Sequence, residues 1–166
     1  MKKFWNVIVL VVTCLTLFGC GAKVNNDTPK AWVEKNENVC ILVQSYELDV
    51  NAVIELYDMG FISKDRVVRL EKDIDILIKH IKKDKQSDKV TVSLQQAFIR
   101  KLSEQKSRLN DFKMGYKVDK SDINSFYNML ENTGAFNKKE ASEISGNVFI
   151  NSIDECSTHK LREKLR

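Results

Sequence analysis

VVRLEKDIDILIKHI, residues 67–81, is the stretch that decides the fold, because it carries an apolar residue at every third or fourth position. Residues at this spacing lie on one face of an α-helix, so the stretch predicts a helix with a single buried stripe. The stripe consists of Val67, Leu70, Ile74, Leu77 and Ile81, and Ile78 widens it. Ser63 precedes the stripe and can cap the helix.

A second helix is predicted beyond the charged run of residues 82–89, which is typical of a loop. This helix extends from about residue 91 to residue 113, and Gln105 interrupts its apolar face. Its buried face is marked by Leu94, Phe98, Leu102, Leu109 and Phe112. Because the two helices are similar in length and joined by a short link, we expect them to form an antiparallel hairpin.

Another helix is predicted before this hairpin. Thr28 and Pro29 form an N-cap followed by proline at the first helical position, and Gly60 is a good stop. Between them one apolar face is formed by Val39, Val43, Tyr46, Val50, Val53 and Tyr57. A break near residues 36–38 is compatible with this pattern, because two asparagines lie there.

Two shorter helices are predicted after the hairpin. Ser121 or Asp119 can cap the first, which would end near Gly134. Asn137 and Glu140 have the spacing of a capping box and would begin the second. The first would bury Ile123, Phe126, Tyr127 and Leu130, and the second Ala141, Ile144, Val148, Ile153 and Cys156. Gly146 and residues 148–150 make the second the weakest prediction, and residues 160–166 are predicted as a charged tail.

The fold class predicted from these elements is all-α, a bundle of four or five helices around the central antiparallel hairpin. The composition supports it, since a chain with one proline and 6 glycines has few of the turns that a β-sandwich needs. Its length suits a single domain with a real core.

The N-terminal residues predict an export signal. Lys2 and Lys3 precede an apolar run over residues 4–18, and the run closes on Leu17-Phe18-Gly19-Cys20. This ending resembles the lipobox of a bacterial lipoprotein. The resemblance implies cleavage after Gly19 and a diacylglyceryl group on Cys20, with fatty acids such as palmitate. It divides the chain into a signal peptide (1–19), a lipidated tether (20–28) and a single helical domain (29–166).

The same resemblance implies a location outside the cytoplasm, anchored to a membrane by the lipid on Cys20. Gly21 stands where an aspartate often retains such proteins in the inner membrane, so we expect the outer membrane, facing the periplasm, in a Gram-negative cell. Two alternatives stay open: ordinary cleavage without lipid, and an uncleaved membrane helix. The second is disfavoured because the apolar run is shorter than the roughly 20 residues of a membrane span.

Cleavage would leave Cys40 and Cys156 as a pair beside the lipidated Cys20. In an oxidising compartment such a pair usually forms a disulfide, which would bring the first and last helices together. Two free buried thiols are the alternative, because cysteine is a common core residue.

Charge gives one candidate binding surface. Losing Lys2 and Lys3 lowers the net charge from +4 to +2, which does not predict nucleic-acid binding. Bases cluster around the predicted hairpin loop: Lys79, Lys82, Lys83, Lys85 and Lys89. The simpler interpretation is a solvated face, and the sharper one is a patch that meets an anionic partner.

Motifs for catalysis or metal binding are absent from the sequence. His80 and His159 have no partner at metal-ligand spacing, and no nucleophile elbow or glycine-rich phosphate loop occurs. Glu47, Glu55 and Glu104 are helical acids that no surrounding motif singles out. We therefore expect no enzyme, no metal and no cofactor beyond the lipid.

The expected function is binding of a protein partner at the cell envelope. Exclusion, immunity and the assembly of secretion or conjugation machines use small lipoproteins of this form. One alternative is an envelope-structural or cell-wall-binding lipoprotein, and a less favoured one is an enzyme acting on the cell wall.

Overall fold

The computed structural model describes residues 24–57, 59–60, 63–122 and 124–165, and within these ranges it contains seven α-helices and no strand. The all-α bundle predicted from the sequence is confirmed. In chain order the helices are α1 (Pro29–Lys35), α2 (Glu37–Tyr57), α3 (Lys64–Lys83), α4 (Lys89–Lys113), α5 (Ser125–Asn132), α6 (Lys138–Ser152) and α7 (Glu155–Leu165). They outnumber the predicted four or five because two predicted helices are each broken in two.

The first break lies at Asn36, inside the predicted range. The backbone N–H of Asn36 donates to the carbonyl oxygens of Trp32 and Val33, and its side chain donates to the same Trp32 oxygen. These bonds end α1 and allow α2 to start at Glu37. At the other end of α1 the Thr28 hydroxyl accepts from the Ala31 N–H at 3.3 Å, which confirms the predicted cap.

The second break, at Ile153 and Asp154, corrects the prediction of one continuous last helix. Residues 138–152 are helical throughout, and their capping box is confirmed by two 3.0 Å bonds between Asn137 and Glu140. The predicted charged tail is helical over the described residues, since α7 continues to Leu165. Its Arg162 forms an ion pair with Asp49 and lies over the Tyr46 ring, 5.1 Å from the centroid, and these contacts hold α7 on the bundle.

The predicted hairpin is formed by α3 and α4. Lys106 pairs with Asp75 and Lys113 pairs with Glu71, each at 2.7 Å. A later residue of α4 therefore meets an earlier residue of α3. The two helices are therefore antiparallel. The loop is shorter than predicted, residues 84–88, because helical structure extends to Lys83 and resumes at Lys89. All five predicted stripe residues of α3 are buried.

The helix with the most neighbours is α2, which packs against α1, α3, α4, α6 and α7. It is accordingly buried around much of its circumference. The aromatic part of the core surrounds Phe98, whose ring meets Trp32 edge-on at 5.4 Å and Phe126 at 5.8 Å between centroids. Burial of these large side chains supplies much of the hydrophobic stabilisation.

The bundle has two distinct ends. Because α2 and α4 run side by side in the same direction, both point away from the 84–88 loop. We call residues 79–89 the tip, and the described residues 56–57, 63–68 and 112–120 the far end. At a rise of 1.5 Å per residue, Val67 and Lys82 are separated by about 22 Å along α3.

Candidate functional site

A groove of about 720 Å³ opens at the far end, between the C-terminal ends of α2 and α4 and the first turns of α3. Tyr57 and Phe112 contribute aromatic rings, which meet edge-on with 5.1 Å between centroids. The other lining residues used below are Lys64, Val68, Lys113, Gly115, Tyr116 and Lys117. We call this cavity the far groove.

The turn after α4 places Tyr116 and Lys117 at this groove. Gly115 has φ 81°, a left-handed conformation that favours glycine. Its N–H donates to the Phe112 carbonyl and the Tyr116 N–H donates to the Asp111 carbonyl, both at 3.0 Å. These two bonds make a Schellman motif, which ends α4 and reverses the chain.

The segment after this turn is held by Arg108 and Asn51. Arg108 donates to the Ser121 hydroxyl at 2.7 Å and to the Asp119 carbonyl at 2.6 Å. The side-chain oxygen of Asn51 accepts from Arg108 at 2.8 Å and from the Ser121 N–H at 3.0 Å. Burial lowers the pKa of Arg108, while the Glu47 and Asp119 carboxylates oppose that shift. The segment therefore has fixed attachment points on two helices.

These attachments correct the predicted start of the next helix. Ser121 does not cap it, because both its N–H and its hydroxyl are engaged with Asn51 and Arg108. Helix α5 instead begins at Ser125, after Asn124 in the cap position. Ile123, predicted to be buried, lies outside the described residues.

The far groove combines exposed apolar surface with positive charge. Val68 is 42% exposed and Tyr116 is 64% exposed. Lys113 is paired with Glu71, whereas Lys64 and Lys117 form no ion pair with any described residue. Contiguous exposed apolar surface is typical of interaction sites, and the lysines would favour a partner with carboxylates.

The predicted basic patch lies at the opposite end, on the tip. The structure brings its five lysines together around the 84–88 loop, all exposed and none in an ion pair with a described residue: Lys79, Lys82, Lys83, Lys85 and Lys89.

The acids of the tip are turned toward the protein. Asp84 accepts from the Trp32 indole at 2.7 Å and from the Asn25 amide at 2.8 Å. Burial would raise the pKa of Asp84, but the hydrogen bonds from Asn25, Trp32 and Gln86 outweigh it and lower that pKa. Hydrogen bonds from the Thr91 N–H and hydroxyl likewise lower the pKa of Asp88. Both aspartates remain charged at neutral pH and serve internal contacts.

A buried ion pair joins α2 to α4. The Glu47 carboxylate lies 2.8 Å from the Lys101 ammonium, and the side chains are only 2% and 6% exposed. The Ser125 hydroxyl at the start of α5 bonds to both groups. Glu47 was among the acids that the sequence did not single out, and its partner is far along the chain. This cluster fixes three helices relative to one another.

The four residues predicted for export and disulfide formation are only partly described. Gly19 and Cys20 lie outside the described residues. Cys40 is a fully buried free thiol in the structure, and burial raises its pKa to about 12. The side chain of Cys156 lies outside the described part, while its helix α7 packs against the helix that holds Cys40. The disulfide stays a prediction.

The described ranges hold neither a metal-binding group of side chains nor a membrane-spanning helix. There, no three His, Cys, Asp or Glu side chains are grouped so that they could hold a metal ion. Within the same ranges, no helix combines the length and apolar composition needed to cross a membrane.

Comparison with known proteins gives no match: no family model, no curated protein and no solved structure is recognisably similar to this chain. The structure itself defines the class of the protein as an all-α helical bundle.

Sequence reasoning found the tip lysines and missed the far groove. Val68 lies directly beside the apolar stripe of α3, and Tyr116 follows a helix-ending glycine in a polar segment. The available signals in the sequence were two: an apolar residue outside the α3 stripe, and an aromatic residue after the glycine that ends α4. Their proximity depends on the turn at Gly115, which no local pattern reveals.

Proposed function

We propose that this chain is a lipid-anchored, non-catalytic helical protein that binds a protein partner at the cell envelope through the far groove. The observation that carries the proposal is the groove itself: exposed Tyr116 and Val68 beside two lysines, Lys64 and Lys117, that have no ion pair with a described residue. The partner chemistry that fits is an apolar side chain flanked by carboxylates.

The position of the groove supports a tethered binding role. In the proposal, the lipid on Cys20 anchors the chain to a membrane outside the cytoplasm, which in a Gram-negative cell is the outer membrane, facing the periplasm. The chain enters the bundle at the tip through Asn25. The groove lies at the other end, about 22 Å further along α3. A partner could therefore reach it without displacing the anchor. Exclusion, immunity and machine assembly all require such a tethered, accessible surface.

A capture experiment with matched variants tests the binding site. The mature chain is used as bait in an envelope extract and compared with Tyr116→Ala/Lys117→Glu. The matched control is Ile150→Ala/Lys160→Glu, since Ile150 is 65% exposed and lies outside the groove. We expect one protein to be retained by the wild-type and control chains and reduced about tenfold or more by the groove variant. Equal retention by all three would overturn the assignment of the groove.

The cell-wall alternative is tested in the same design. Purified cell wall is sedimented with each of the three chains. Sedimentation that depends on Tyr116 and Lys117 would replace the protein partner with a wall polymer.

The anchor is tested separately by mass spectrometry of the mature N-terminal peptide from membranes. We expect an acylated Cys20 and no residues 1–19. An unmodified N-terminus, or a chain that retains residues 1–19, would contradict the anchor without affecting the groove.

A further inference from the structure

The N-terminal segment of the domain is bonded directly to the tip. The Asn25 N–H donates to the Lys85 carbonyl at 2.7 Å, and the Ser87 N–H donates to the Asn25 carbonyl at 2.8 Å. Two residues later, the Asp27 carbonyl accepts from the Thr91 hydroxyl at 2.7 Å. The point at which the chain enters the fold is therefore fixed against the 84–88 loop.

This attachment limits how far the tip can lie from Cys20. Cys20 precedes Val24, the first described residue, by four positions. Four residues span at most about 14 Å when fully extended. A lipid on Cys20 would therefore hold the tip close to the membrane surface, within roughly one to two Debye lengths at physiological salt.

The surface of the tip carries net positive charge. Its five lysines are exposed and have no ion pair with a described residue, and its two aspartates are engaged by Trp32, Asn25 and Thr91. The nearby Asp27 is paired with Lys35 at 3.0 Å. Glu34 lines a different, smaller cavity together with residues of α6. Across residues 79–89, five lysines stand against two aspartates, which leaves the tip with a net positive charge.

We propose that the tip lysines bind the anionic phospholipid headgroups of the membrane that holds the Cys20 lipid, and so orient the bundle with the far groove pointing away from the bilayer. This inference rests on the anchoring that the proposed function assigns to Cys20. Each lysine near an anionic bilayer strengthens binding about fivefold, so several lysines add substantially to the lipid. The arrangement supplies the second signal that stable, oriented membrane attachment generally uses.

The test is sedimentation of the mature chain with vesicles at low salt, using Cys20→Ser to remove the lipid. Vesicles of phosphatidylglycerol mixed with phosphatidylcholine are compared with vesicles of phosphatidylcholine alone. The tip variant is Lys82→Gln/Lys83→Gln/Lys85→Gln. The control variant, Lys72→Gln/Lys160→Gln/Lys164→Gln, removes the same charge from exposed lysines outside both the tip and the far groove. Thermal unfolding of both variants shows that each still folds.

We expect binding to the anionic vesicles only, and a loss on the order of 100-fold for the tip variant, from about fivefold for each of three lysines. The control variant is expected to bind within a few-fold of the parent chain. Equal losses in both variants, or no binding to the anionic vesicles, would overturn the proposal. So would a tip variant that binds the anionic vesicles as tightly as the parent chain does. The assay contains neither lipid anchor nor partner, so its failure leaves the groove and the anchor to their own tests.

Discussion

The indole Nε1 of Trp32 donates a 2.7 Å hydrogen bond to the Oδ2 atom of Asp84. Trp32 is fully buried in α1 and its ring meets Phe98 of α4, so one side chain connects the entry of the chain, the hairpin loop and the core. The position of the entry segment relative to the hairpin loop and the core therefore depends on this connection.

Asp84→Asn tests the contribution of the charged acceptor. We expect the free energy of unfolding at pH 7 to fall by about 1–2 kcal/mol, because hydrogen bonds to a charged group are lost or weakened. Trp32 is the single tryptophan beyond the predicted cleavage site, so its fluorescence reports the unfolding transition directly.

The same substitution should change how the free energy of unfolding depends on pH. The folded-state pKa of Asp84 is below its ordinary 3.8, so its carboxylate stabilises the fold fully above that pH. The stabilisation is lost as the pH falls through the lower folded value. The parent chain should therefore lose more stability than Asp84→Asn as the pH falls below 3.8. Parallel stability curves for the two chains would show that Asp84 contributes nothing to acid unfolding.

Lys101→Met should be among the most destabilising substitutions in the bundle. It leaves the buried Glu47 carboxylate without its counter-ion, which costs about 3–5 kcal/mol. Glu47→Leu/Lys101→Met removes both charges and should recover most of that loss. Denaturant unfolding measures the free energy of unfolding of the parent chain, the single variant and the double variant. A double variant no more stable than the single one would refute the view that the unpaired charge is the cause.

Gln44→Met is expected to stabilise the protein. The Gln44 amide is buried, and neither its nitrogen nor its oxygen has a hydrogen-bond partner among the described residues. Replacing it with an apolar side chain of similar shape should raise the free energy of unfolding by about 1 kcal/mol. The matched control is Gln105→Met, because the buried Gln105 oxygen accepts from Arg108 at 2.6 Å. That substitution should destabilise by about 1 kcal/mol. Equal effects at both sites would contradict the argument.

The predicted disulfide is tested by alkylating the thiols of the unfolded mature chain before and after reduction. We expect Cys40 and Cys156 to be protected until a reductant is added. If both are alkylated without reductant, the pairing is refuted and Cys40 is a core thiol. In that case it should resist alkylation in the folded chain, because burial raises its pKa to about 12 and keeps it protonated.

Local patterns were sufficient for most of the helices. The α3 stripe was predicted residue by residue because helical periodicity is encoded by near neighbours. The capping box of Asn137 and Glu140 and the break at Asn36 are equally local, since the groups that form each lie within four residues. All three features could therefore be predicted without knowledge of the tertiary structure.

Polar residues inside the core could not be predicted in this way. Gln105 was predicted to interrupt the buried face of α4, yet its side chain is buried and accepts a hydrogen bond from Arg108. No local pattern marks Glu47 and Lys101 as a buried pair, because the two residues come from distant parts of the chain. The position of α7 on the bundle also depends on tertiary contacts, those of Arg162 with Asp49 and Tyr46. The far groove belongs to the same class, since it exists only when three helix ends meet.

The central claim, a tethered protein whose far groove holds a partner, is tested most directly by site-specific photo-crosslinking in living cells. A photoreactive residue replaces Tyr116 in the groove, and, in separate strains, the equally exposed Ile150 and the tip residue Lys83. The account predicts a discrete protein adduct from position 116 alone, lost when Cys20→Ala removes the anchor. A protein adduct from position 83 or 150 with none from position 116 would contradict it.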